Sequence, residues 1–582
     1  MKEILGYWGY GNLSELEALL SKVLSKASID KELQQVKYQN QNCVGALARW
    51  SFTNNPSITG EGILKKKDFC QVSVSAAGIP ELPDAAIKFV NRELILSRDC
   101  FGRLPLYWFR QQQVIWFASR LQLLLPILKS PQVSIPGFYG YNCFSYVPTP
   151  LTPVENIFTL PAGYEIVWEI TDDCRIQNLK DNAIQNSYEW REAKNLIRDE
   201  KTAISQLQSL LTNAIERQLS NLPNSEVGVF LSGGLDSSII AALLVQAGVK
   251  VKAYALDFGK YGVSELPFAE AVAVHLQIPL VKVDATPKRI KSAISATAKA
   301  LDLPFGDGVT VPIYLLCEAA SKETSVILNG EGGDQLFAGW TNKPLIAAGI
   351  YNSEDFNQQY LRTFHRLYGY EAQSFQLDLS SQIKNINSED WIAEALNPEF
   401  THDILARLRR ASLMLKGAQN IHPRATNLGK AFDLRVRSPF CDLSLASFCF
   451  ALSGELYLQG NTEKYILKRA VESWLPSEIV WREKRGMGVP LNSWCLGELW
   501  GEVSKRLNAG ILKSEGRYQE DIIRKILAGQ IGGQIRQRRI GEVLWLLLMW
   551  ETWRVEVLGE KALGKSFDYR LLRLRVLQKF GK

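Results

Sequence analysis

A glycine- and serine-rich turn lies between an apolar run and a helical pattern near residue 233 and limits the folds open to this chain. Residues 227–231, VGVFL, predict a short buried strand, and the sequence SSIIAALLVQAG that follows the turn predicts a helix. Gly233 and Gly234 allow the backbone between them to turn sharply and to approach a ligand closely. Because the amides of such a turn and of the helix start face outward together, the pattern predicts an anion site.

The other side chains of this turn indicate which anion it binds. Ser232, Ser237 and Ser238 supply hydroxyl donors, whereas Asp236 would repel a phosphate by charge alone. A bridging Mg²⁺ removes this conflict, since magnesium is commonly held by one or two carboxylates and by substrate phosphates. The turn lacks the closing Gly-Lys-Ser/Thr of a Walker A loop, so a grip on pyrophosphate during chemistry at an α-phosphate suits it better. A plain helix-capping turn is the alternative.

A second loop, NGEGGDQLFAGW over 329–340, follows another apolar strand pattern. Strand patterns alternate with helical ones from residue 227 onward, which predicts a parallel sheet with helical crossovers. Neighbouring strand ends of a doubly wound sheet converge on the ligand crevice, so Asp334 is expected near Asp236, where both could hold Mg²⁺. Glu331 in the same loop is a candidate to accept a proton from an attacking amine, with a capping or solvent role as the alternative.

A third stretch, WREKRGMGVPLNSW over 481–494, places Lys484 in a cluster of charged residues before Gly-Met-Gly. A lysine beside the α-phosphate would stabilise charge that develops during adenylation and during collapse of a tetrahedral intermediate. A basic surface loop is the alternative interpretation of this stretch.

These three stretches, in this order, resemble the synthetase domain of asparagine synthetases. The turn resembles the PP-loop of the ATP pyrophosphatase superfamily, and GEGGDQLFAGW resembles the family pattern G-(E/D)-G-x-D-E-x-F-x-G-Y. Further similar blocks lie at 304–316, 435–442 and 463–470, so the resemblance runs from about 227 to 500. Gln335 stands where the family usually has Glu, and Trp340 where it usually has Tyr; both departures touch the acceptor side more than ATP.

The resemblance implies a role for each matching position, with ATP and Mg²⁺ as cofactors. It implies an adenosine pocket lined by Leu231, Leu256, Asn329 and Gly330, a pyrophosphate grip from Ser232 through Ser238, including Gly233, Gly234 and Ser237, and metal ligation by Asp236 and Asp334. It also implies that Glu331 serves the amine step and that Lys484 serves the acyl-adenylate.

The first 170 residues read as β-rich, with short apolar runs separated by Gly, Pro and Asn. RDCFGRLPLYW over 98–108 and FASRLQLLL over 117–125 resemble the Ntn-type glutaminase domain of class II amidotransferases. The expected organisation is a multidomain chain of α/β and α+β class. An Ntn-glutaminase-like β sandwich is expected over 1–185, a doubly wound ATP pyrophosphatase domain with a helical C-terminal extension over 200–560, and a basic tail over 561–582.

One departure from the glutaminase pattern bears on function. Those domains use an N-terminal cysteine as nucleophile, whereas Lys2 and Glu3 follow Met1 here and the first cysteine is Cys43. The pieces R-G-P-D and N-G-E-x-Y-N, which hold glutamine in the family, are also missing. We expect this domain to be a structural relic, or a surface for a peptide or another partner, rather than an ammonia source.

A synthetase domain joined to such a glutaminase domain resembles the diverged members of the family, in which an amine of the substrate attacks the acyl-adenylate. A lasso-peptide-type cyclase is the leading hypothesis, with a precursor peptide as substrate and a leader peptidase as a possible partner. The alternative is an asparagine synthetase that uses ammonia, or an asparagine-synthetase-like amide ligase with another acceptor. The carboxylate substrate is then expected to be a peptide or a small molecule. A β-lactam synthetase is disfavoured, because the resemblance implies a Tyr in those enzymes at the position of Glu331. A non-catalytic scaffold would have no need of Asp236, Glu331, Asp334 and Lys484 together.

Composition excludes several other classes. Nine cysteines, an odd number without a C-x-x-C pair, argue against a disulfide framework or a zinc ribbon. A net charge of +7 on 582 residues permits a nucleotide or an acidic peptide as partner and does not demand nucleic acid. The start MKEILGYWGYGN does not resemble a signal peptide, and the apolar run Val543–Trp550 is too short to span a bilayer. We therefore expect a cytoplasmic protein without membrane contact, of undetermined oligomeric state.

Overall fold

A computed structural model of the chain describes most of its residues. They are 2–26, 34–40, 43–51, 63–66, 69–75, 77, 79, 83–171, 175–178, 184–220, 222, 226–262, 265–339, 355–364, 366–483, 486–508, 511–512, 515–531 and 536–560. Trp340, Lys484 and the basic stretch 561–582 lie outside the described residues, so the predictions made for them stay predictions.

Two antiparallel sheets build the N-terminal part. Their strands are β1 (Lys2–Gly9), β2 (Gln34–Asn40), β3 (Cys43–Ser51), β4 (Ile63–Lys66), β5 (Phe69–Val74), β6 (Ala85–Val90), β7 (Glu93–Arg98), β8 (Tyr107–Gln111), β9 (Val114–Ala118), β10 (Phe158–Thr159), β11 (Tyr164–Ile170), β12 (Ile176–Asn178) and β13 (Ile184–Asn186). One sheet has the order β10-β8-β9-β1-β3-β2, and the other β12-β11-β7-β6-β5-β4 with β13 also paired to β11. Helices α1 (Leu13–Lys26), α2 (Leu121–Leu124) and α3 (Ile135–Phe144) accompany them.

Side chains alternate between the two faces of a strand, and the inward-facing ones of both sheets form one hydrophobic core. Ile115 and Phe117 of β9 join Leu94 and Leu96 of β7 in a cluster of side chains without solvent exposure. The intervening Trp116 belongs instead to a larger cluster that extends into the C-terminal half. The predicted β-rich N-terminal part is confirmed.

A five-stranded parallel sheet lies at the centre of the C-terminal half. Its strands are β14 (Val227–Phe230), β15 (Val251–Asp257), β16 (Leu280–Asp284), β17 (Val326–Leu328) and β18 (Arg435–Arg437). The order is β16-β15-β14-β17-β18, so the direction of winding reverses between β14 and β17. The predicted parallel sheet is confirmed, and ligands bind at such a reversal point in open α/β sheets.

Helices make up most of the remaining described structure, which agrees with the helical C-terminal extension expected from the sequence. They are α4 (Glu200–Leu219), α5 (Leu235–Gln246), α6 (Leu266–His275), α7 (Pro287–Leu301), α8 (Thr310–Ala320), α9 (Gly333–Leu336), α10 (Phe356–Phe364), α11 (Glu371–Ser374), α12 (Leu377–Ile383), α13 (Asp390–Ala393), α14 (Ile404–Ser412), α15 (His422–Lys430), α16 (Leu443–Cys449), α17 (Tyr465–Val471), α18 (Ser477–Val480), α19 (Leu491–Leu496), α20 (Trp500–Arg506), α21 (Ile522–Leu527) and α22 (Arg536–Glu556). A π-helix, Leu413–Ile421, joins α14 to α15. Short 3₁₀ turns lie at Leu125–Ile127, Gly259–Tyr261, Pro398–Phe400 and Gly454–Leu456, and a small hairpin is formed by β19 (Leu458–Gln459) and β20 (Thr462–Glu463).

One predicted helix begins later than the sequence pattern indicates. The pattern predicts a helix over 188–221, whereas α4 begins at Glu200. The reason is local: the Asp199 carboxylate accepts a hydrogen bond of 2.8 Å from the amide of Thr202 and caps the helix there.

The apolar run in α22 packs inside the protein. Trp545, Trp550 and Trp553 have no solvent exposure, and the indole of Trp545 donates to the carbonyl oxygen of Asp307 at 3.1 Å. Throughout the described part of the chain, every helix is too short or too polar to cross a membrane. The helix thus supports the loop that carries Asp307.

A buried pair of carboxylates beside α22 makes stability depend on pH. Burial, followed by the neighbouring Glu551 carboxylate, raises the pKa of Glu515, while Arg554 opposes the rise. A folded-state pKa above the unfolded one stabilises the fold at low pH, and this contribution is lost as pH rises through the folded pKa. We therefore expect Glu515→Gln to lose less thermal stability than the wild type between neutral and alkaline pH, measured by calorimetric melting.

The exposed Glu520→Gln substitution on the same segment is the matched control, and it should melt like the wild type at every pH. Parallel pH profiles for Glu515→Gln and the wild type would contradict a raised pKa of Glu515 in the folded protein.

Candidate active site

A cavity of about 390 Å³ opens where β14 and β17 end. Its wall includes residues from both predicted loops: Leu231, Ser232, Gly234, Asp236, Ser237, Asn329, Gly330, Glu331 and Asp334. Leu256, at the end of β15, also lines the cavity. The structure therefore brings together residues that lie about a hundred positions apart in sequence.

The turn after β14 requires glycine at Gly233. Its φ of +72° lies in the left-handed region, and a Cβ atom there would come within 2.5 Å of the backbone of Phe268 and Ala269. The turn is thus held against the start of α6 while α5 begins at Leu235. The first amides of α5 consequently lie on the cavity side of the turn, next to the wall residues Gly234 and Asp236.

The three serines of the turn differ in position. Ser232 and Ser237 line the cavity, and their hydroxyl oxygens lie 3.1 Å apart. Ser238 has no solvent exposure, and its hydroxyl donates to the carbonyl oxygen of Gly234 at 2.8 Å. Gly233 and Ser238 are absent from the cavity wall. The turn geometry accounts for both: Gly233 shapes the backbone, and Ser238 braces the first turn of α5.

The two loops are in direct contact through glycine. A Cβ on Gly330 would lie 2.8 Å from Cβ of Asp236, and one on Gly333 would lie 2.5 Å from its carboxylate carbon. Any larger side chain at either position would push the loops apart. The predicted closeness of Asp236 and Asp334 depends on this approach.

Lys464 lies between the two carboxylates. Its Nζ is 2.5 Å from Oδ2 of Asp236 and 2.5 Å from Oδ1 of Asp334. The lysine is almost fully buried, and its backbone has a φ of +53°, in the left-handed region that residues other than glycine adopt infrequently. Gly339 leaves room for it, because a Cβ there would overlap its Cε atom. Two carboxylates are thus aimed at one cation, which is the arrangement that a metal ion also requires.

Glu331 belongs to a second charged group on the same wall. Nη2 of Arg424 is 3.3 Å from its carboxylate, while Nη1 donates to Asp307 at 2.6 Å. Burial raises the pKa of Glu331, and Arg424 opposes that rise. Asn329 accepts a hydrogen bond from the Glu331 amide and another from the hydroxyl of Ser438. Glu331 is therefore an anchored carboxylate in the cavity and not a solvent-exposed one.

The third predicted stretch reaches the cavity at its described residues. Glu483 and Gly486, on either side of the stretch that contains Lys484, both line the wall. Arg482 donates to Glu265 at 3.0 Å and stacks on the ring of Phe268, with its Cζ 3.6 Å from the ring centre. This arginine ties the stretch to the start of α6, against which the turn after β14 packs.

A separate buried ion pair connects β1 to the C-terminal half. The Glu3 carboxylate accepts from the hydroxyl of Ser119 at 2.5 Å and from Nζ of Lys430 at 3.1 Å. Burial alone would raise the pKa of Glu3, but Lys430, Arg120 and Ser119 together hold it below its ordinary value. The start of β1 is therefore occupied by an ionised carboxylate that is fully paired.

The chain matches two protein-family models, one in each half. The model of the family described as asparagine synthase matches residues 206–555, more than half of the chain. The chain belongs to the asparagine synthase family. A glutamine amidotransferase domain model matches residues 88–177, within the two antiparallel sheets. Asparagine synthase family members are carbon–nitrogen ligases that form amide bonds while ATP is turned over to AMP and pyrophosphate, so this chain is an asparagine-synthetase-like, ATP-dependent amide ligase.

Individual relatives of the asparagine synthase family are distant in sequence. Glutamine-hydrolyzing asparagine synthetase 1 of Bacillus subtilis is 21% identical over 490 residues, which cover 79% of this chain and 75% of that protein. A putative glutamine-hydrolyzing asparagine synthetase of Mycobacterium bovis is 24% identical over 514 residues, covering 80% and 74%. Among solved structures, an NH3-dependent NAD synthetase from Campylobacter jejuni aligns with 38% of this chain and 94% of its own at 14% identity and a TM-score of 0.20, a score that supports no conclusion.

The sequence motifs do not point to Lys464 or Arg424, two of the charged residues on the cavity wall. Lys464 occurs in the block EKYILKRA at 463–470, whose similarity to the family was visible but gave no role to that lysine. Arg424 lies in a stretch without a recognisable pattern, and only the fold brings it to Asp307 and Glu331.

Proposed function

We propose that this chain adenylates an acidic side chain of a peptide and joins it to the amine of the same peptide, as a lasso-type cyclase does. The observation that carries the proposal is the contrast between the two halves. The cavity of the synthetase half contains paired carboxylates, hydroxyl donors and an anchored glutamate, whereas the N-terminal half lacks the R-G-P-D and N-G-E-x-Y-N motifs that hold glutamine in the family. An amine delivered by the substrate fits this contrast, because it needs no glutaminase.

Mg²⁺ fits the residues that converge on Lys464. Asp236 and Asp334 already lie around one cation, and no cluster of three or more acidic, His or Cys ligands occurs in the described residues. Two carboxylates suit magnesium, which completes its shell with water and substrate phosphates. When bound, the ion would neutralise charge on the phosphates of ATP. Lys464 would then turn from the carboxylates toward the leaving pyrophosphate.

Each remaining wall residue has a role in this proposal. Ser232, Ser237 and the first amides of α5 hold pyrophosphate, and Lys484 stabilises charge at the α-phosphate. Leu231 and Leu256, with Asn329 and Gly330, contact adenosine. Glu331 accepts the proton of the attacking amine, and Arg424 keeps it in place.

A peptide amine offers a physical advantage over free ammonia. When both reacting groups belong to one bound molecule, the attack is intramolecular and gains a large effective concentration. Apolar side chains on the cavity wall, including Val309, Ile313 and Ile421, supply contacts that peptide residues can use. Free ammonia would need none of them.

The second candidate is an ammonia-dependent asparagine synthetase. It is favoured by the names of the relatives, which are asparagine synthetases, and aspartate would then be the carboxylate. Pyrophosphate release with aspartate and ammonium, and none with peptides, would select this candidate.

Mass spectrometry of a candidate precursor peptide tests the first proposal. A short open reading frame beside the gene for this chain, especially one near a protease gene, is the peptide to use. The peptide should lose one water in an ATP-dependent reaction, and fragmentation should place the new bond between the N-terminus and an Asp or Glu side chain. An unchanged mass for the peptide, together with asparagine formed from aspartate, would refute the cyclase.

Glutamine should not supply nitrogen to the product. Because the motifs R-G-P-D and N-G-E-x-Y-N, which hold glutamine in the family, are missing, amide-labelled glutamine should leave no label in the product and form no glutamate. Labelled ammonium chloride serves as the matched control. Glutamate production that depends on this chain would show that the N-terminal domain is active.

A further inference from the structure

Lys416 lies on the wall of the cavity, in the middle of the π-helix Leu413–Ile421. Its side chain is exposed to solvent, yet the surrounding protein is dense enough that burial lowers its pKa. The Lys416 side chain is reached by water and is also surrounded by protein, as expected for a side chain that projects into the cavity. Wide helical turns of this kind occur frequently at functional sites.

The other cations on the wall already have acidic partners. These pairs are Arg424 with Asp307 and Glu331, Lys464 with Asp236 and Asp334, Lys468 with Glu463, and Arg482 with Glu265. Among the residues that the structure describes, the Lys416 ammonium has neither a hydrogen bond nor an ion pair. Inside a cavity enclosed by protein the ammonium is less well hydrated than at the open surface, so a bound anion would stabilise it.

Gln335 explains why no carboxylate of the protein serves this lysine. Its side chain is buried, and a Cβ on Gly417 would lie 3.5 Å from its Cγ atom. Gln335, which stands where the family pattern has glutamate, therefore packs against Gly417, the residue that follows Lys416. A glutamate would bring a negative charge close to the lysine, whereas glutamine leaves the lysine available.

We propose that Lys416 binds the substrate carboxylate that is to be adenylated and so selects an acidic side chain. The charges that act on the lysine are those of Asp307, Arg366, Arg424 and Asp334, which include members of both charged groups on the cavity wall. ATP also carries anionic groups, but in the proposed function its phosphates are bound by Ser232, Ser237 and Lys464. The inference about Lys416 rests on that proposed function.

Steady-state kinetics of Lys416→Met test the inference. The expected result is an increase of at least about tenfold in KM for the carboxylate substrate, because a charge-assisted hydrogen bond is lost. The affinity for ATP, measured by calorimetry on the full chain, should stay unchanged. Gln335→Glu should raise the same KM without a change in charge at 416, and Lys416→Arg should recover part of the loss.

Lys384→Met, at an exposed lysine after α12, is the matched control and should behave as the wild type. An unchanged KM for Lys416→Met, or a loss of ATP affinity in its place, would overturn the assignment. Failure of the proposed function is distinguishable from this outcome, since no carboxylate would then support pyrophosphate release by the wild type. In that case, calorimetry with succinate as a probe still compares the wild type with Lys416→Met: equal affinities would overturn the inference, and weaker binding by the variant would support it.

Discussion

Asp236→Asn should reduce carboxylate-dependent pyrophosphate release by at least about a hundredfold, the scale on which loss of one charge-stabilising group slows an enzyme. The substitution removes half of the acidic pair that would hold Mg²⁺, and it leaves the buried Lys464 with Asp334 alone. Asp334→Asn should have the same effect, because both carboxylates are aimed at one point. Pyrophosphate release with excess ATP and Mg²⁺ measures this directly.

Asp284→Asn is the matched control for these variants. Asp284 also ends a strand of the parallel sheet, but it lies on the edge strand β16, outside the cavity wall, and its carboxylate accepts from Thr286. Its variant should keep wild-type activity. Near-normal pyrophosphate release from Asp236→Asn would refute the metal assignment.

Glu331→Gln should separate the two half-reactions. Adenylation should continue, seen as exchange of labelled pyrophosphate into ATP, while amide formation falls by about 10²–10⁴-fold, the usual contribution of a general base. Glutamine keeps the shape of the side chain, and its carbonyl oxygen can still accept from Arg424, but it cannot take a proton. In the wild type, amide formation should rise with pH through the raised pKa of Glu331, since only the ionised form is a base.

Glu323→Gln, just before β17 at the opposite end of that strand, is the control for this experiment. Glu323 forms a surface ion pair with Lys252, so its loss should change neither half-reaction. Equal losses of exchange and of amide formation in Glu331→Gln would mean that Glu331 shapes the cavity instead of acting on the amine.

Much of the fold could be predicted from sequence because strong local patterns determine it. The strands β14 to β17 follow apolar runs bounded by turns, and their alternation with helices predicts a parallel sheet. The fifth strand, β18, could not be found in this way, since it is only three residues long and two of them are arginines. Arg437 is nevertheless fully buried, because its guanidinium donates to the backbone carbonyl oxygens of Ala77 and Gln218.

The candidate site was predictable only in part, for a similar reason. Glycines and acidic residues after strands mark two loops, and the topology of the sheet places those loops side by side. Lys464 is 228 residues from Asp236 in sequence, and no local pattern links them. Arg424 and Lys416 lie on helices whose position in space depends on packing. Charge pairing across the cavity is therefore a property of the fold, and it is the property that singles out Lys416.

Following ATP and nitrogen in one reaction shows whether this chain is an adenylating ligase whose amine comes from its own substrate. The full chain is incubated with ATP, Mg²⁺, the candidate peptide and amide-labelled glutamine, and the products are followed by phosphorus NMR and mass spectrometry. AMP and pyrophosphate should appear in equal amounts with an unlabelled peptide that is lighter by one water. ADP and phosphate, or a labelled product formed together with glutamate, would contradict an adenylating ligase whose amine comes from its own substrate.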